Sequence, residues 1–431
     1  MKLQVKSVTL ELVPVTMRLP LKFGAETVQS ITCARARMVL TDGNAQAEGL
    51  GETPISVAWG WPSALPFFER EKKMLDFCRS LAEKWIGFSG EGHAMDLGYD
   101  FLEHQLFADP SELPHLARLI CSSPFDIALH DAYGKLVGKP VYETYNKEFM
   151  PHDLSFYYDG DPAFKGKYPA DFFSDSIPEK LPVWHLVGGK DLLSAEELTG
   201  NEPKDGFPVT LRQWIERDGL KCLKIKLTGS DPDWDYQRMV NVGTIALEYG
   251  CEALSPDFNC LVKDPAYVNT IIDRLKQEYP AIYDLLLYVE QPFPYDLEAN
   301  KIDVHSCSER KPLFMDESAH DWRLVDLGFQ LGWTGVALKV CKTQTGALLS
   351  ACRAKSHGMK LMVQDLTNPM YAMIPHVRLA QHVGTIKGVE CNAPQFYPEE
   401  SLPFEKIHPG LYERRNGIVD CSTLSGAGFG Y

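Results

Sequence analysis

The chain has no Cys-x-x-Cys pair, no apolar run long enough to span a membrane and no surplus of positive charge. Each absence excludes something. Its 11 cysteines are scattered and odd in number. A disulfide framework or zinc ribbon needs paired spacings, so inert thiols in a reducing cytosol are the expectation. A transmembrane helix needs roughly 20 apolar residues in a row. The first residues, Met1 to Val8, alternate as a strand does and lack the apolar core of a signal peptide. Lys and Arg number 43 against 58 Asp and Glu, a net charge of −15. That argues against nucleic acid and against an anionic membrane surface, both of which need a basic face. It leaves room for an anionic small molecule, because a local metal can reverse the field. A cytoplasmic protein with a small-molecule partner is expected.

What is present is ordinary for a folded protein: 431 residues, 45% hydrophobic and 23% charged. Two domains are expected from that length. Residues 1–145 read as an α+β unit. Leu3, Val5, Val8, Leu10 and Leu12 suggest a long first strand, and Asp42-Gly43 marks a hairpin turn. Pro66 opens a helix with Met74, Cys78, Leu81 and Trp85 on one stripe. A second helix is predicted from Phe125 to Leu136, stopped by Gly138-Lys139-Pro140. From residue 146 to 395, after an aperiodic stretch to about 182, short apolar runs alternate with helical patterns. That is the signature of parallel βα units. Eight candidate strands, beginning near Val183, Cys222, Glu252, Leu286, Leu313, Val336, Met359 and Ile386, favour a closed (β/α)8 barrel. Residues 396–431 form a tail.

Charged residues close five successive strands: Lys226, Asp257, Glu290, Asp316 and Lys339. They recur at about 31 residues, the mean length of a unit when eight share roughly 250 residues. Strand C-terminal ends in such a barrel face one shared site. Three carboxylates there suit a hard cation such as Mg²⁺, with Mn²⁺ as substitute, and no His or Cys cluster offers a zinc alternative. Taken singly, each acid is as well read as a helix cap; three in register are not. Lys226 and Lys339 lie on opposite sides of the barrel with the acids on the arc between. A substrate carboxylate on the metal would present its α-carbon between two amines. One would take the α-proton to give an enediolate, and the other would return a proton to the opposite face or assist a leaving group. Lys224, two residues before Lys226 and on the same side of the strand, would tune it as a neighbouring like charge. Asn259 is placed to support the metal shell. Gln364 and Asp365 would hold a polar substrate tail or cap the next helix.

The pattern resembles the enolase superfamily, and within it the muconate-lactonizing-enzyme-like group of the mandelate racemase/muconate lactonizing enzyme family. The resemblance rests on Lys224-Ile225-Lys226, on Asp257-Phe258-Asn259, Glu290-Gln291-Pro292 and Asp316-Glu317-Ser318, on Lys339, and on the run Ser123 to Ala132 before Gly138-Lys139-Pro140. It implies Lys226 and Lys339 as catalytic lysines and Asp257, Glu290 and Asp316 as metal ligands. It implies an N-terminal α+β domain, completed by the C-terminal tail, that caps the barrel mouth. Capping loops would fall near Arg18–Val28 and Thr53–Trp61, where Phe23, Trp59 and Trp61 would form an apolar wall against substrate or simply pack the domains together. It also implies a homo-oligomer.

Departures from the family narrow the function. Met359 to Gln364 contains no His, so the dyad of mandelate racemase itself is missing. Dipeptide epimerases carry Asp-x-Asp on strand 8, where this chain has Glu390-Cys391-Asn392. Glu390 would still meet a substrate ammonium, but Asn392 removes one charge from the pair, which counts against dipeptide specificity. The leading expectation is a racemase or epimerase of an amino-acid derivative or dipeptide. A cycloisomerase or dehydratase of a carboxylic or sugar acid is the alternative, and a non-catalytic metal- and ligand-binding barrel the remote one. His320 is read as a solvated loop histidine.

Overall fold

The computed structural model describes residues 1–23, 26–108 and 110–431. Two sheets organise the chain. The first is antiparallel and has the order β3-β2-β1-β4. Its strands are β1 (Lys2–Phe23), β2 (Glu26–Thr41), β3 (Gln46–Pro54) and β4 (Ser89–Glu91). The β2–β3 turn sits where Asp42-Gly43 predicts it. Asp42 Oδ1 accepts from the amides of Asn44 and Ala45, both at 2.8 Å, and Gly43 takes φ +95°. This is the Asx-type turn chemistry that favours Asp followed by Gly.

Two helices cover this sheet. The helix Phe67–Trp85 buries Met74, Cys78, Leu81 and Trp85, the predicted stripe. The second runs His115–Leu136, ten residues longer than the sequence reading, with Pro124 inside it. A proline in a helix interior costs about 3 kcal/mol, and here nearly every residue from Leu116 to Gly134 is buried. Packing on both faces outweighs the lost hydrogen bond. The helix lies directly on β3 because that strand carries Gly49 and Gly51. A Cβ there would stand 2.0 Å from the Ala128 carbonyl and 2.1 Å from that of Pro124.

The second sheet is the barrel, eight parallel strands from β5 (Lys180–Val187) to β12 (Val389–Glu390). Between them come β6 (Cys222–Lys226), β7 (Ala253–Asp257), β8 (Val289–Glu290), β9 (Leu313–Met315), β10 (Gly335–Leu338) and β11 (Lys360–Val363). Pairing of Val389 with Val183 and Glu390 with Trp184 closes it. A short antiparallel strand, β13 (Ile418–Asp420), lines the start of β5. The tail then returns to the first domain. Gly428 bridges Pro140, and the Phe429 amide donates to Asp131 Oδ1 at 2.9 Å. The fold is therefore a (β/α)8 barrel with an N-terminal α+β cap.

The stretch 146–182 is built of short turns that stitch cap to barrel. Tyr157 donates to Asp96 Oδ1 at 2.5 Å, Tyr158 to the Leu349 carbonyl at 2.5 Å, and Arg353 to Asp161 Oδ2 at 2.6 Å. The segment 188–218 instead docks on the arm of β1. Arg18 grips Asp205 with two hydrogen bonds, 2.5 and 2.9 Å, and donates to the carbonyls of Phe207 and Pro208, each at 3.0 Å. All 11 cysteines are unpaired. Among the described residues no helix is long and apolar enough to cross a membrane.

Candidate active site

The barrel interior has two layers. Trp184, Cys222, Ala253, Tyr288, Phe314 and Met362 form an apolar floor. Side chains two residues further along a strand point the same way. Cys222 is thus followed by Lys224, Tyr288 by Glu290, Phe314 by Asp316 and Met362 by Gln364, so the floor gives way to a polar mouth. Lys224, Asp257, Glu290, Asp316, Lys339 and Glu390 are each at most 4% exposed.

Lysines and acids interleave there. Lys224 Nζ sits at the centre, 2.5 Å from Glu290 Oε1, and 3.3 Å from Asp257 Oδ2 and from Glu390 Oε2. Lys226 Nζ lies 2.5 Å from Asp257 Oδ2 and donates to Asn259 Oδ1 at 3.0 Å. Across the barrel, Lys339 Nζ is 3.2 Å from Asp316 Oδ2 and donates to the Asp365 carbonyl at 2.8 Å. Lys342 is buried beside it, 3.2 Å from Asp316 Oδ1.

Burial raises carboxyl pKa values, and neighbouring ammonium groups lower them. At Asp257 burial is overridden by Lys226 and Lys224, and the carboxyl is held well below its usual range. Burial is likewise overridden at Asp316 by Lys339 and Lys342, and at Glu390 by Lys224 and Lys339. Glu290 goes the other way. Burial pushes it well above its usual value, and Lys224 offsets this only in part. Glu317 and Asp365 are also raised by burial. Lys224 stays charged despite burial because Glu290, Glu390 and Asp257 surround it. Burial opposes the charge on Lys339 too, and Asp316 holds it nonetheless.

Six acids (Asp257, Glu290, Asp316, Glu317, Asp365, Glu390) thus face four lysines (Lys224, Lys226, Lys339, Lys342) in one buried cluster. With every group ionised the formal surplus is two negative charges, and burial relieves it by driving three of the six carboxyls toward the neutral acid. A hard divalent cation among oxygen donors answers both features. In the arrangement described, each of the three candidate ligands is turned to a lysine. Among the described residues no three His, Cys, Asp or Glu side chains stand ready as a metal cluster. The donor chemistry fits the ion, and holding it requires the ammonium groups of Lys224, Lys226 and Lys339 to give way.

The remaining predicted residues divide. Asn259, at φ +52°, accepts from Lys226 and donates to the Leu227 carbonyl at 3.0 Å, so its amide positions the lysine. Gln364 donates to Glu290 Oε2 and, at 3.0 Å, to Tyr288; its side chain is committed to the protein. Asp365 accepts from the amides of Asn368 and Asn392, at 2.8 and 2.5 Å, which is the capping role. Asn392 donates to Glu390 Oε1 at 2.7 Å. Phe23 ends β1, but its side chain lies outside the described part of the structure, as do Gly24 and Ala25 of the same capping loop. Trp61 is buried in the cap, where its carbonyl accepts from Arg70 at 2.6 Å. His320 is not a solvated loop residue. It is half-buried against His115, ring centroids 5.2 Å apart, with Nδ1 2.7 Å from the Glu317 carbonyl. Burial and His115 lower its pKa to about 4.

Sequence reasoning missed Glu317 and Lys342 as participants, and named Trp59 only for an apolar wall or domain packing. Trp59 reaches down from the cap, its Nε1 donating to Glu317 Oε1 at 2.8 Å. Its ring stands 5.2 Å from Lys339 Nζ and 5.8 Å from Lys342 Nζ. Glu317 was visible only as the residue after Asp316. Lys342 lies three residues past Lys339 and carries no strand-end signal of its own. The barrel loops also concentrate backbone strain. Asn259, Cys260, Gln291, Thr343, Thr367 and Met370 all have positive φ. Non-glycine residues in that region persist where the surroundings over-determine them, which is common at functional sites.

No protein-family model matches the chain, and no curated protein matches its sequence. Solved structures match its fold. A mandelate racemase/muconate lactonizing protein from Herpetosiphon aurantiacus is 17% identical, with 99% of this chain and 98% of that one covered and a TM-score of 0.69. The L-Ala-D/L-Glu epimerase from Bacillus subtilis is 17% identical over 99% and 98%, TM-score 0.67. The N-succinyl Arg/Lys racemase from Bacillus cereus is 17% identical over 99% and 95%, TM-score 0.68. The capped barrel is thus the fold of mandelate racemase/muconate lactonizing proteins, over essentially the whole length of each.

Proposed function

We propose that this chain is an enolase-superfamily isomerase that removes the proton α to a substrate carboxylate and returns one to the opposite face. One observation carries the reading. Lys226 and Lys339 stand on opposite sides of the barrel mouth, each ion-paired to an acid of the intervening arc, Asp257 and Asp316 respectively. Pure binding does not require two opposed amines. Asp257, Glu290 and Asp316 would hold a divalent cation, Mg²⁺ or Mn²⁺. When bound, that ion supplies positive charge to the substrate carboxylate as its α-proton leaves. The chain's own part is positional. Asn259 orients Lys226, the Asp365 carbonyl orients Lys339, and the buried mouth excludes water so that proton transfer stays between substrate and lysine. The likeness in fold to a dipeptide epimerase and to a racemase of N-succinyl amino acids is consistent with this chemistry.

The residues of β12 support a substrate class. Glu390 is already answered by Lys224 and by Asn392. Where Lys224 leaves Glu290 to a metal, Glu390 is its remaining partner, 3.3 Å away, so a free substrate ammonium would compete with Lys224 for that acid, whereas a blocked nitrogen would not. An N-acylated amino acid therefore fits better than a dipeptide with a free amino terminus. The test is incubation with Mg²⁺ in D₂O and pooled N-acyl amino acids, dipeptides and sugar acids, read by mass spectrometry. Gain of one α-deuterium without other mass change supports the proposal and names the substrate. Loss of water makes the protein a dehydratase, and a product of new chromatographic retention that carries one carbon-bound deuterium makes it a cycloisomerase. Metal binding with no change in any pool would leave a binding-only barrel.

A further inference from the structure

The segment 188–218 walls a cleft of about 280 Å³ between the capping arm and the outer side of the barrel. Leu19, Pro20 and Thr27 line it from the cap, Leu192, Val209, Leu211 and Trp214 from the segment, Val187 from the barrel and Phe396 from the start of the tail. The Arg18–Asp205 grip holds the two sides together. Its walls are largely apolar, yet two deeply buried polar residues among them each keep one side-chain atom unpaired. The atoms are His185 Nδ1, on a residue 1% exposed, and Gln395 Oε1, on a residue 3% exposed. Leaving such an atom buried without a partner is unfavourable, and a ligand that pairs it removes that cost.

We propose that this cleft is a second small-molecule site, separate from the barrel mouth, for a neutral, largely apolar molecule bearing one O–H or N–H donor. Gln395 fixes the donor requirement. Its Nε2 is spent on the Leu186 carbonyl at 3.0 Å, so its free Oε1 can only accept. His185 is neutral, because burial and the nearby Arg414 and Arg217 disfavour its charge. The rim acids are already engaged, Asp191 by the Gly188 amide at 2.7 Å and Glu202 by the amides of Thr199 and Gly200 at 2.7 and 2.9 Å, so they do not call for a cationic ligand. The volume suits one substituted ring, given that a dry cavity of roughly 150 Å³ accepts benzene. The strand residue His185 points away from the barrel axis, since its neighbour Trp184 belongs to the floor. The site therefore does not depend on the proposed reaction. An occupant would span cap and barrel, and Leu186 connects it to the mouth. The Leu186 amide donates to Asn392 Oδ1 at 3.1 Å, and Asn392 holds Glu390.

The test uses the full chain with benzyl alcohol as probe, toluene as the donor-free comparator and benzoate as the charged one. Binding is followed by saturation-transfer NMR and by Trp fluorescence. Benzyl alcohol is expected to bind at millimolar concentration or better, at least fivefold more tightly than either comparator. Val209→Trp, which fills the cleft from its half-exposed edge, should weaken it tenfold or more, and Gln395→Leu about fivefold. No binding by the native chain, or affinity unchanged in Val209→Trp, would overturn the site. Toluene binding as well as benzyl alcohol would overturn its donor specificity.

Discussion

The floor and the mouth of this barrel are built on the same strands, two residues apart, roughly 6.6 Å along the chain direction. Below, Tyr288, Phe314 and Met362 pack as any barrel core packs. Above, Glu290, Asp316 and Gln364 are just as buried but carry charge or hydrogen bonds. The lower layer is consistent with maximal stability. The upper one is not, since burying ion pairs seldom improves on apolar packing and removing one partner is costly. A fold that keeps an acid at Glu290 against its own desolvation keeps it for something other than stability. The comparison teaches that the charged layer, where the proposed chemistry lies, sits one pleat beyond the apolar core on the same strands.

Substitutions should separate the layers. The largest effect is expected at the mouth. Lys226→Ala and Lys339→Ala should each lower turnover by ~10³-fold or more, within the range for loss of a general acid or base. Equilibrium denaturation should remain cooperative in both. Near-native turnover in either variant would remove that lysine from the chemistry. Next comes the floor. Phe314→Ala should destabilise the protein by about 3–5 kcal/mol, read by denaturant titration, while surviving folded molecules keep native turnover. A mild stability change there would mean that the floor is not the barrel's core. Asp257→Asn should weaken Mg²⁺ by at least ~10-fold in calorimetric titration; an unchanged isotherm would take Asp257 out of the ligand set.

The smallest expected effect lies at the seam between cap and barrel. His382 is stacked on Tyr142, centroids 3.9 Å apart, and burial lowers its pKa to about 4. The unfolded chain takes up that proton near pH 6.5 and the folded one does not. Stability from this group is thus complete above pH 6.5 and is lost as pH falls toward 4. His382→Gln should flatten that limb of a stability–pH curve by on the order of 1–2 kcal/mol. An unchanged curve would shift the acid sensitivity to other buried histidines, such as His93 or His185.

Much of this layering is legible in sequence. A charge closing each short apolar run gives the barrel, its register and five mouth residues, because strand periodicity is local. What is not legible is what depends on distant chain. The start of the helix at His115 is hidden because Pro124 looks like a boundary, and only burial against β3 carries the helix through it. Trp59 meets Glu317 across 258 positions, and Arg18 meets Asp205 across 187. Neither pair has a local signal. Gln364 reads as a substrate ligand because its strand position is right; its partner, Glu290, is known only from the fold.

The central claim is that two lysines address opposite faces of one α-carbon. Each enantiomer of the substrate found in the pooled screen should therefore be followed in D₂O with Mg²⁺, in the native chain and in the two lysine variants. The account predicts that the native chain exchanges the α-proton of both enantiomers. Lys226→Ala should lose exchange of one enantiomer, Lys339→Ala of the other, and both should lose interconversion. Exchange of both enantiomers by either variant at the native rate would contradict it.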